Sequence, residues 1–319
     1  MNDMQNGSKI VFLFPGQGSQ YVGMGKDFYE NYAVVRDLFD RSSDILDMDM
    51  KRLCFEGPGS ELVKTQHAQP AVTLVNIAAY RVLQEEGVSP SAAAGHSLGE
   101  YSALYAAGAL EFADLMELVK WRARFMSRAA GKIDGGMLAV IGLKKDVVAD
   151  LCKSAGSEGH LEIANVNAPE QIIVSGEKKA IEKMTETASA AGAKLTMPLA
   201  VSGAWHTGLM AEAGEEMACV LEATDIRKPS IPVVANVTAD FVDNPKQIKT
   251  VLKAQITSPV LWTASIERLI SDGFELFVEA GPKRALTGLM GFINKGVRVY
   301  NVENVRVLKR FLETAIRAQ

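Results

Sequence analysis

Ala92-Ala93-Ala94-Gly95-His96-Ser97-Leu98-Gly99-Glu100 is the stretch on which the reading of this chain turns. Small residues lead into a turn with a glycine two positions before a serine and another two positions after it, and Tyr101 to Ala107 then forms a helical run. Gly-x-Ser-x-Gly in that setting is the pattern of a nucleophile elbow, a sharp strand-to-helix turn with the serine hydroxyl at its apex. Glycines suit the two flanking positions because the backbone must approach and pass itself without a Cβ in the way. The motif alone is common in glycine-rich turns, so the strand before it and the helix after it are what single out Ser97 as a candidate nucleophile.

Upstream, Ile10-Val11-Phe12-Leu13-Phe14 is a continuous apolar run broken by Pro15-Gly16-Gln17-Gly18-Ser19, which reads as a buried strand followed by a glycine-rich turn. Helical patterns then run to about Val88, with Pro70 expected in the first turn of a long helix. Downstream, a helix is expected from Phe112 to about Ala130, closed by Gly131, Gly135 and Gly136. The rhythm then changes. Met137 to Leu143, Lys144 to Ala155 and Leu161 to Asn165 read as strand, helix, strand, and Gln171 to Ser175, Lys178 to Ala191 and Lys194 to Leu199 repeat that order. This βαββαβ order predicts a ferredoxin-like subdomain over residues 136–199, inserted between residues 1–135 and 200–319 of a larger one. Val233 to Val237 and Leu276 to Glu279 read as further buried strands, so the larger part is expected to be α/β with a mainly parallel sheet.

The 319 residues carry a net charge of −4, with 48% apolar and 23% charged side chains, the balance of a soluble globular protein. No global field draws nucleic acid or anionic lipid, and neither is expected as a partner. Cys54, Cys152 and Cys219 are odd in number and widely spaced, which argues against a disulfide framework or a zinc site. The five-residue apolar run after the polar start is too short for a signal-peptide core or a membrane span, so the cytoplasm is the expected compartment.

A serine hydroxyl needs a base, and four histidines are available. His96 adjoins Ser97 and would point away from it in an elbow, His67 lies in a helical segment, and His160 sits in a glycine-rich loop of the insertion. His206, in Val201-Ser202-Gly203-Ala204-Trp205-His206, stands where the chain re-enters the larger part, and a cleft between two parts of the fold favours it. The backbone N–H of Leu98 would supply one oxyanion donor and the Pro15-Gly16-Gln17-Gly18 loop the other. That loop is no dinucleotide fingerprint, because Tyr21 occupies the place of the third glycine in Gly-x-Gly-x-x-Gly. Arg122 lies within the apolar stripe of Leu118, Val119, Phe125 and Met126, so a guanidinium is expected on a buried face. It must meet an anion there, either an internal Asp or Glu or a substrate carboxylate held in a bidentate pair.

Phe14-Pro15-Gly16-Gln17-Gly18-Ser19-Gln20, Gly95-His96-Ser97-Leu98-Gly99-Glu100, Arg122 in Trp121-Arg122-Ala123-Arg124-Phe125-Met126, and His206 together resemble the malonyl-CoA:acyl-carrier-protein transacylase family. Gln66-His67-Ala68-Gln69-Pro70-Ala71, Asn165-Val166-Asn167-Ala168-Pro169, Gln255 with Ser258-Pro259-Val260-Leu261-Trp262, and Glu279-Ala280-Gly281-Pro282 extend the likeness in order from about Ile10 to Leu289. The resemblance implies an α/β-hydrolase-like large subdomain, and a ping-pong transfer of malonyl from malonyl-CoA to an acyl carrier protein in fatty-acid synthesis. It implies Ser97 as nucleophile, His206 as base, the N–H groups of Gln17 and Leu98 as oxyanion donors, and Arg122 as partner of the malonate carboxylate. It further implies a main-chain carbonyl of Gln255 orienting His206, and Trp205, where the family more often has Phe or Ser, bordering the acyl pocket. No metal or prosthetic group is implied, and a monomer is expected. The competing readings are a trans-acting polyketide acyltransferase, an acyl hydrolase, and an inactive module that docks a carrier protein. An intact Arg122 weighs against the hydrolase, and an intact Ser97, His206 and Arg122 against the docking module.

Overall fold

The structure is a computed structural model that describes residues 9–201 and 203–316; Ser202, quoted above beside His206, lies outside them. The strands in chain order are β1 (Ile10–Phe14), β2 (Ala92–Gly95), β3 (Gly135–Ile141), β4 (Leu161–Ala168), β5 (Gln171–Glu177), β6 (Leu195–Pro198), β7 (Val233–Val234), β8 (Phe241–Val242), β9 (Leu276–Ala280) and β10 (Arg298–Val302). Every residue of β1 is buried, as its unbroken apolar run requires. A strand buried on both faces belongs in a parallel sheet covered by helices on both sides, and β1 lies inside the six-stranded order β10-β9-β1-β2-β7-β8. The pairs are parallel except for the β7–β8 hairpin at the edge. Phe12 and Phe14 pack edge-on against Tyr80 on one side of the sheet, while Val11 and Leu13 join Trp262 and Phe277 on the other.

The chain leaves β1 toward β2 and β7 on one flank and returns through β9 and β10 on the other. Strand order therefore reverses at β1, and the crevice beyond the carboxyl ends of such strands is where an open α/β sheet receives its ligand. The register Phe14↔Gly95 brings the glycine loop after β1 against the turn after β2. A Cβ on Gly99 would fall 2.0 Å from the Phe14 carbonyl oxygen, one on Gly95 would fall 1.9 Å from the Gly99 carbonyl oxygen, and one on Gly16 would fall 2.6 Å from that of His96. Gly16, Gly95 and Gly99 are thus required by backbone packing.

Strands β3 to β6 form a separate antiparallel sheet in the order β4-β5-β3-β6, the ferredoxin-like arrangement expected from βαββαβ. Its period-two pattern sorts the two faces. Leu138 and Val140 pack under the helices Lys145–Ala155 and Lys178–Ala190, whereas Met137, Ala139 and Ile141 of the same strand face a cavity shared with the larger sheet. The two parts are tied where Val166 N–H donates to the Val260 carbonyl and Val260 N–H donates to that of Ala164, both at 2.9 Å.

Some expectations shift. The long helix runs Thr65–Glu85, so Pro70 lies inside it and not in its first turn; the N–H groups of His67 and Ala68 close the start on the Lys64 carbonyl before proline is reached. The strand expected over Val233 to Val237 stops at Val234, because Asn236 turns its N–H to Glu100 instead of to a neighbouring strand. The edge strands β8 and β10 were not legible in the sequence: β8 spans only two residues, and β10, Arg298-Val299-Tyr300-Asn301-Val302, has neither a continuous apolar run nor strict alternation.

Gly99→Ala should lower stability by about 3 kcal/mol or more, since the new methyl cannot clear the Phe14 carbonyl without moving β1. Gly288→Ala, in the helix Ala285–Ile293 with open space around its would-be Cβ, should raise stability by about 0.5–1 kcal/mol. Urea midpoints of the two variants read both effects.

Candidate active site

The elbow folds as its glycines allow. β2 ends at Gly95, the helix Gly99–Ala106 begins four residues later, and between them Ser97 takes φ 51°, in the left-handed region. Its Oγ lies 2.7 Å from His206 Nε2. His206 is itself left-handed at φ 61°, in the turn that brings the chain back from the antiparallel sheet. On the far side of the ring, Nδ1 donates to the main-chain carbonyl of Gln255 at 2.7 Å. Since a carbonyl can only accept, Nδ1 carries the hydrogen, and Nε2 presents a lone pair to the serine hydroxyl. Burial, together with the positive charge of Arg122, pushes the His206 pKa down to about 3, so the imidazole stands neutral with Nε2 unprotonated.

The other histidines are engaged elsewhere. His96 Nε2 meets Asn167 Oδ1 at 2.8 Å with its ring against Trp262, His67 Nδ1 meets the Glu61 carbonyl at 3.0 Å, and His160 pairs with Glu162 at 3.1 Å. The backbone N–H groups of Gln17 and Leu98 flank the elbow, and neither donates to a backbone carbonyl outside regular elements among the described residues.

Arg122, 1% exposed, projects from the helix Phe112–Ala130 into the same place. Its Nη1 donates to Gln69 Oε1 at 2.7 Å, and its Nη2 donates to Gln255 Oε1 at 3.0 Å and to Ser97 Oγ at 3.2 Å. All three partners are neutral, and among the described residues no ion pair joins the guanidinium to a carboxylate. Of the two partners the sequence left open, the internal Asp or Glu is therefore not the one in contact. The ring of Tyr101 lies 5.5 Å from the guanidinium carbon and supplies its π-face.

Ser97, His206, Arg122, Gln17 and Trp205 line one cavity of about 270 Å³ between the two sheets, with Met137, Ile173 and Leu199 of the antiparallel part opposite. Leu98 and Gln255 are buried just behind it. Side-chain contacts that the sequence did not single out complete the polar floor. Gln69 bridges Gln17 Oε1 and Arg122. The Gln255 side chain donates to the Ser97 carbonyl at 2.9 Å and to Glu100 at 2.6 Å, and Asn236 holds the elbow from beneath. Burial pushes the Glu100 carboxyl up to about 7. The signal for Asn236 was present: a lone amide in the apolar run Val233 to Val237 must find partners indoors.

A family model described as the acyl transferase domain matches residues 11–311. The chain belongs to that family. A malonyl CoA-acyl carrier protein transacylase of Bacillus subtilis (strain 168) is 41% identical over 308 residues, spanning 96% of this chain and 97% of that protein. An acyl-carrier-protein S-malonyltransferase from Burkholderia pseudomallei 1710b superposes with a TM-score of 0.93 at 39% identity, over 96% of this chain and 99% of that one. A malonyl-transacylase solved in complex with a type II PKS acyl-carrier protein gives 0.93 at 38% identity over the same shares. Among the described residues no helix is long and apolar enough to cross a membrane, and no group of three or more His, Cys, Asp or Glu is placed to hold a metal ion.

The depressed pKa of His206 has a kinetic sign. A base with the ordinary histidine value near 6.5 would lose its lone pair as pH falls from 6.5 to 5, whereas His206, with a pKa of about 3, keeps it throughout. The kcat/KM for acylation of Ser97 should therefore stay flat across that interval and fall only at lower pH, as a stopped-flow pH profile would show.

Proposed function

We propose that this acyltransferase moves a malonyl group from malonyl-CoA to the phosphopantetheine thiol of an acyl carrier protein through an ester on Ser97, in the service of fatty-acid synthesis. The observation that carries the reading is a buried guanidinium, 3.2 Å from the serine hydroxyl, whose hydrogen-bond partners among the described residues are all neutral. A charge kept in a dry site without a counter-ion is costly, and the acid end of a malonyl group supplies the missing partner in the planar, two-point geometry that arginine favours. The names of the relatives agree with this substrate and this carrier.

In the proposed reaction Ser97 Oγ attacks the thioester carbonyl while its proton passes to His206 Nε2, and the N–H groups of Gln17 and Leu98 receive the oxyanion. Collapse breaks the C–S bond. The proton on His206 goes to the departing coenzyme A sulfur, leaving malonate esterified to Ser97. The carrier thiol then gives its proton to His206 and attacks the ester, and Ser97 recovers its own proton as the new thioester departs. The Gln255 carbonyl steadies the imidazole in place of a triad aspartate, and Trp205 borders the acyl chain. No metal or prosthetic group takes part in these steps. Residues 136–199 act in this reading as a subdomain that walls the acyl cavity against water, with residues 1–135 and 200–319 carrying the chemistry. The cytoplasm is the expected compartment and the monomer the expected form. Service to a polyketide carrier is the second reading, favoured by the 38% identical transacylase bound to a type II PKS carrier.

Arg122→Ala should reduce malonyl loading from malonyl-CoA by about 10²-fold or more while sparing or raising acetyl loading from acetyl-CoA, since a charge-assisted bidentate pair is lost only for malonyl. Intact-mass spectrometry of the Ser97 ester reads both. Equal loss for the two acyl groups would reject the carboxylate-anchor role.

A further inference from the structure

Ser97 holds its left-handed φ of 51° without the freedom of glycine. Such a conformation is strained and persists only where the surroundings over-determine it. The groups that do so converge on one side chain. Asn236 Oδ1 accepts the Ser97 N–H at 2.6 Å, and Asn236 Nδ2 donates to the Gly95 carbonyl at 2.7 Å. One planar amide thus spans the turn from the residue that enters it to the nucleophile itself.

The chemistry of the bridge is specific. It needs an acceptor and a donor side by side on a short neutral head, which a carboxamide supplies and a carboxylate does not. An apolar replacement would leave both a buried N–H and a buried carbonyl unpaired. The amide is also fixed from behind. Asn236 is fully buried, its own N–H donates to Glu100 Oε2 at 3.1 Å, and its carbonyl accepts the Leu261 N–H at 2.9 Å. Gln255 Nε2 stands 3.5 Å from Oδ1, so the residue whose carbonyl orients His206 also braces the amide. Asn236 does not line the acyl cavity and makes no hydrogen bond to Arg122, so its influence on the reaction passes through Ser97.

We propose that Asn236 is a positioning residue for the nucleophile, its carboxamide splinting the elbow so that Ser97 Oγ stays on His206 Nε2. The proposal rests on the acyl-transfer reading of Ser97. It assigns Asn236 an effect on the rate of ester formation and none on recognition of the malonyl acid, which belongs to Arg122.

The test follows Ser97 ester formation from malonyl-CoA by rapid quench and intact-mass spectrometry, using the full chain as wild type, Ser97→Ala, Asn236→Asp and Asn236→Ala. Rates are expressed per folded molecule, with the folded fraction taken from urea titration of each protein. The expected result is a maximal rate lowered about 10²-fold in both Asn236 variants, the size of loss that a small misplacement of a reacting group produces, with the half-saturating malonyl-CoA concentration unchanged. Asn236→Gln, which keeps the carboxamide on a longer stem, should recover part of the rate. A wild-type rate per folded molecule in either the Asp or the Ala variant overturns the proposal, as does a loss carried by half-saturation alone. A wild-type chain that forms no ester, like the Ser97→Ala control, would overturn the acyl-transfer reading itself, whereas a wild-type ester with unaffected variants overturns only the role of Asn236.

Discussion

The Cα of Gly99 lies so near the carbonyl of Phe14 that no side chain fits between them, and much of the site follows from that approach. It presses the end of β1 against the start of the helix after the elbow, so the loop after β1 and the turn after β2 share one small volume. Gln17 of that loop and Ser97 of that turn accordingly line the same cavity. Gly16 and Gly95 extend the contact by admitting backbone where a methyl would block it. Parallel pairing of β1 with β2 sets the register, and the glycines let the register continue past the strand ends into the site.

Burying Arg122 is the second constraint, and the protein meets it with neutral partners. Gln69, Gln255 and the face of Tyr101 spread the charge without cancelling it. Glu100 is held by Gln255 and Asn236, and burial pushes its carboxyl up to about 7. An ionised Glu100 would have offered the arginine an internal counter-charge through Gln255. The guanidinium is left with neutral hydrogen-bond partners, at the cost of a desolvated cation.

Much of this was legible in the sequence because the decisive features are local. The strand Ile10–Phe14, the elbow, the βαββαβ order and the apolar stripe around Arg122 are each set by neighbours within a turn or two, and the structure has each of them. What escaped was set by long-range contact. Asn236 meets Ser97 and Gly95 across about 140 residues, and the Gln255 side chain reaches Ser97 and Glu100 over a longer span, so no spacing rule could have joined them. The same cause shortened the strand at Val234, where a tertiary hydrogen bond to Glu100 won over the β propensity of Val237. Pro70 was misread for a different reason. Its position in the chain carries a first-turn preference, yet Thr65, Ala68 and Gln69 are buried, and packing of that earlier turn extended the helix past the point where propensity would start it.

The contact between Arg122 and Ser97 Oγ bears on selectivity in the proposed reaction. Nη2 donates to the oxygen that attacks in the proposed reaction, and its charge is one of the causes holding the His206 pKa down. Both effects restrain the nucleophile: the donated hydrogen bond occupies a lone pair of Oγ, and the nearby charge opposes formation of the imidazolium that must accompany attack. In the proposed reaction a malonyl carboxylate would relieve the two together, drawing the guanidinium to itself and neutralising its field. An acyl group without a carboxylate leaves both in force, and water, which is small enough to enter the site, also fails to release them. In the proposed reading the arginine would thereby discriminate at the level of the transition state as well as of binding, one buried charge both recognising the acid and restraining the serine.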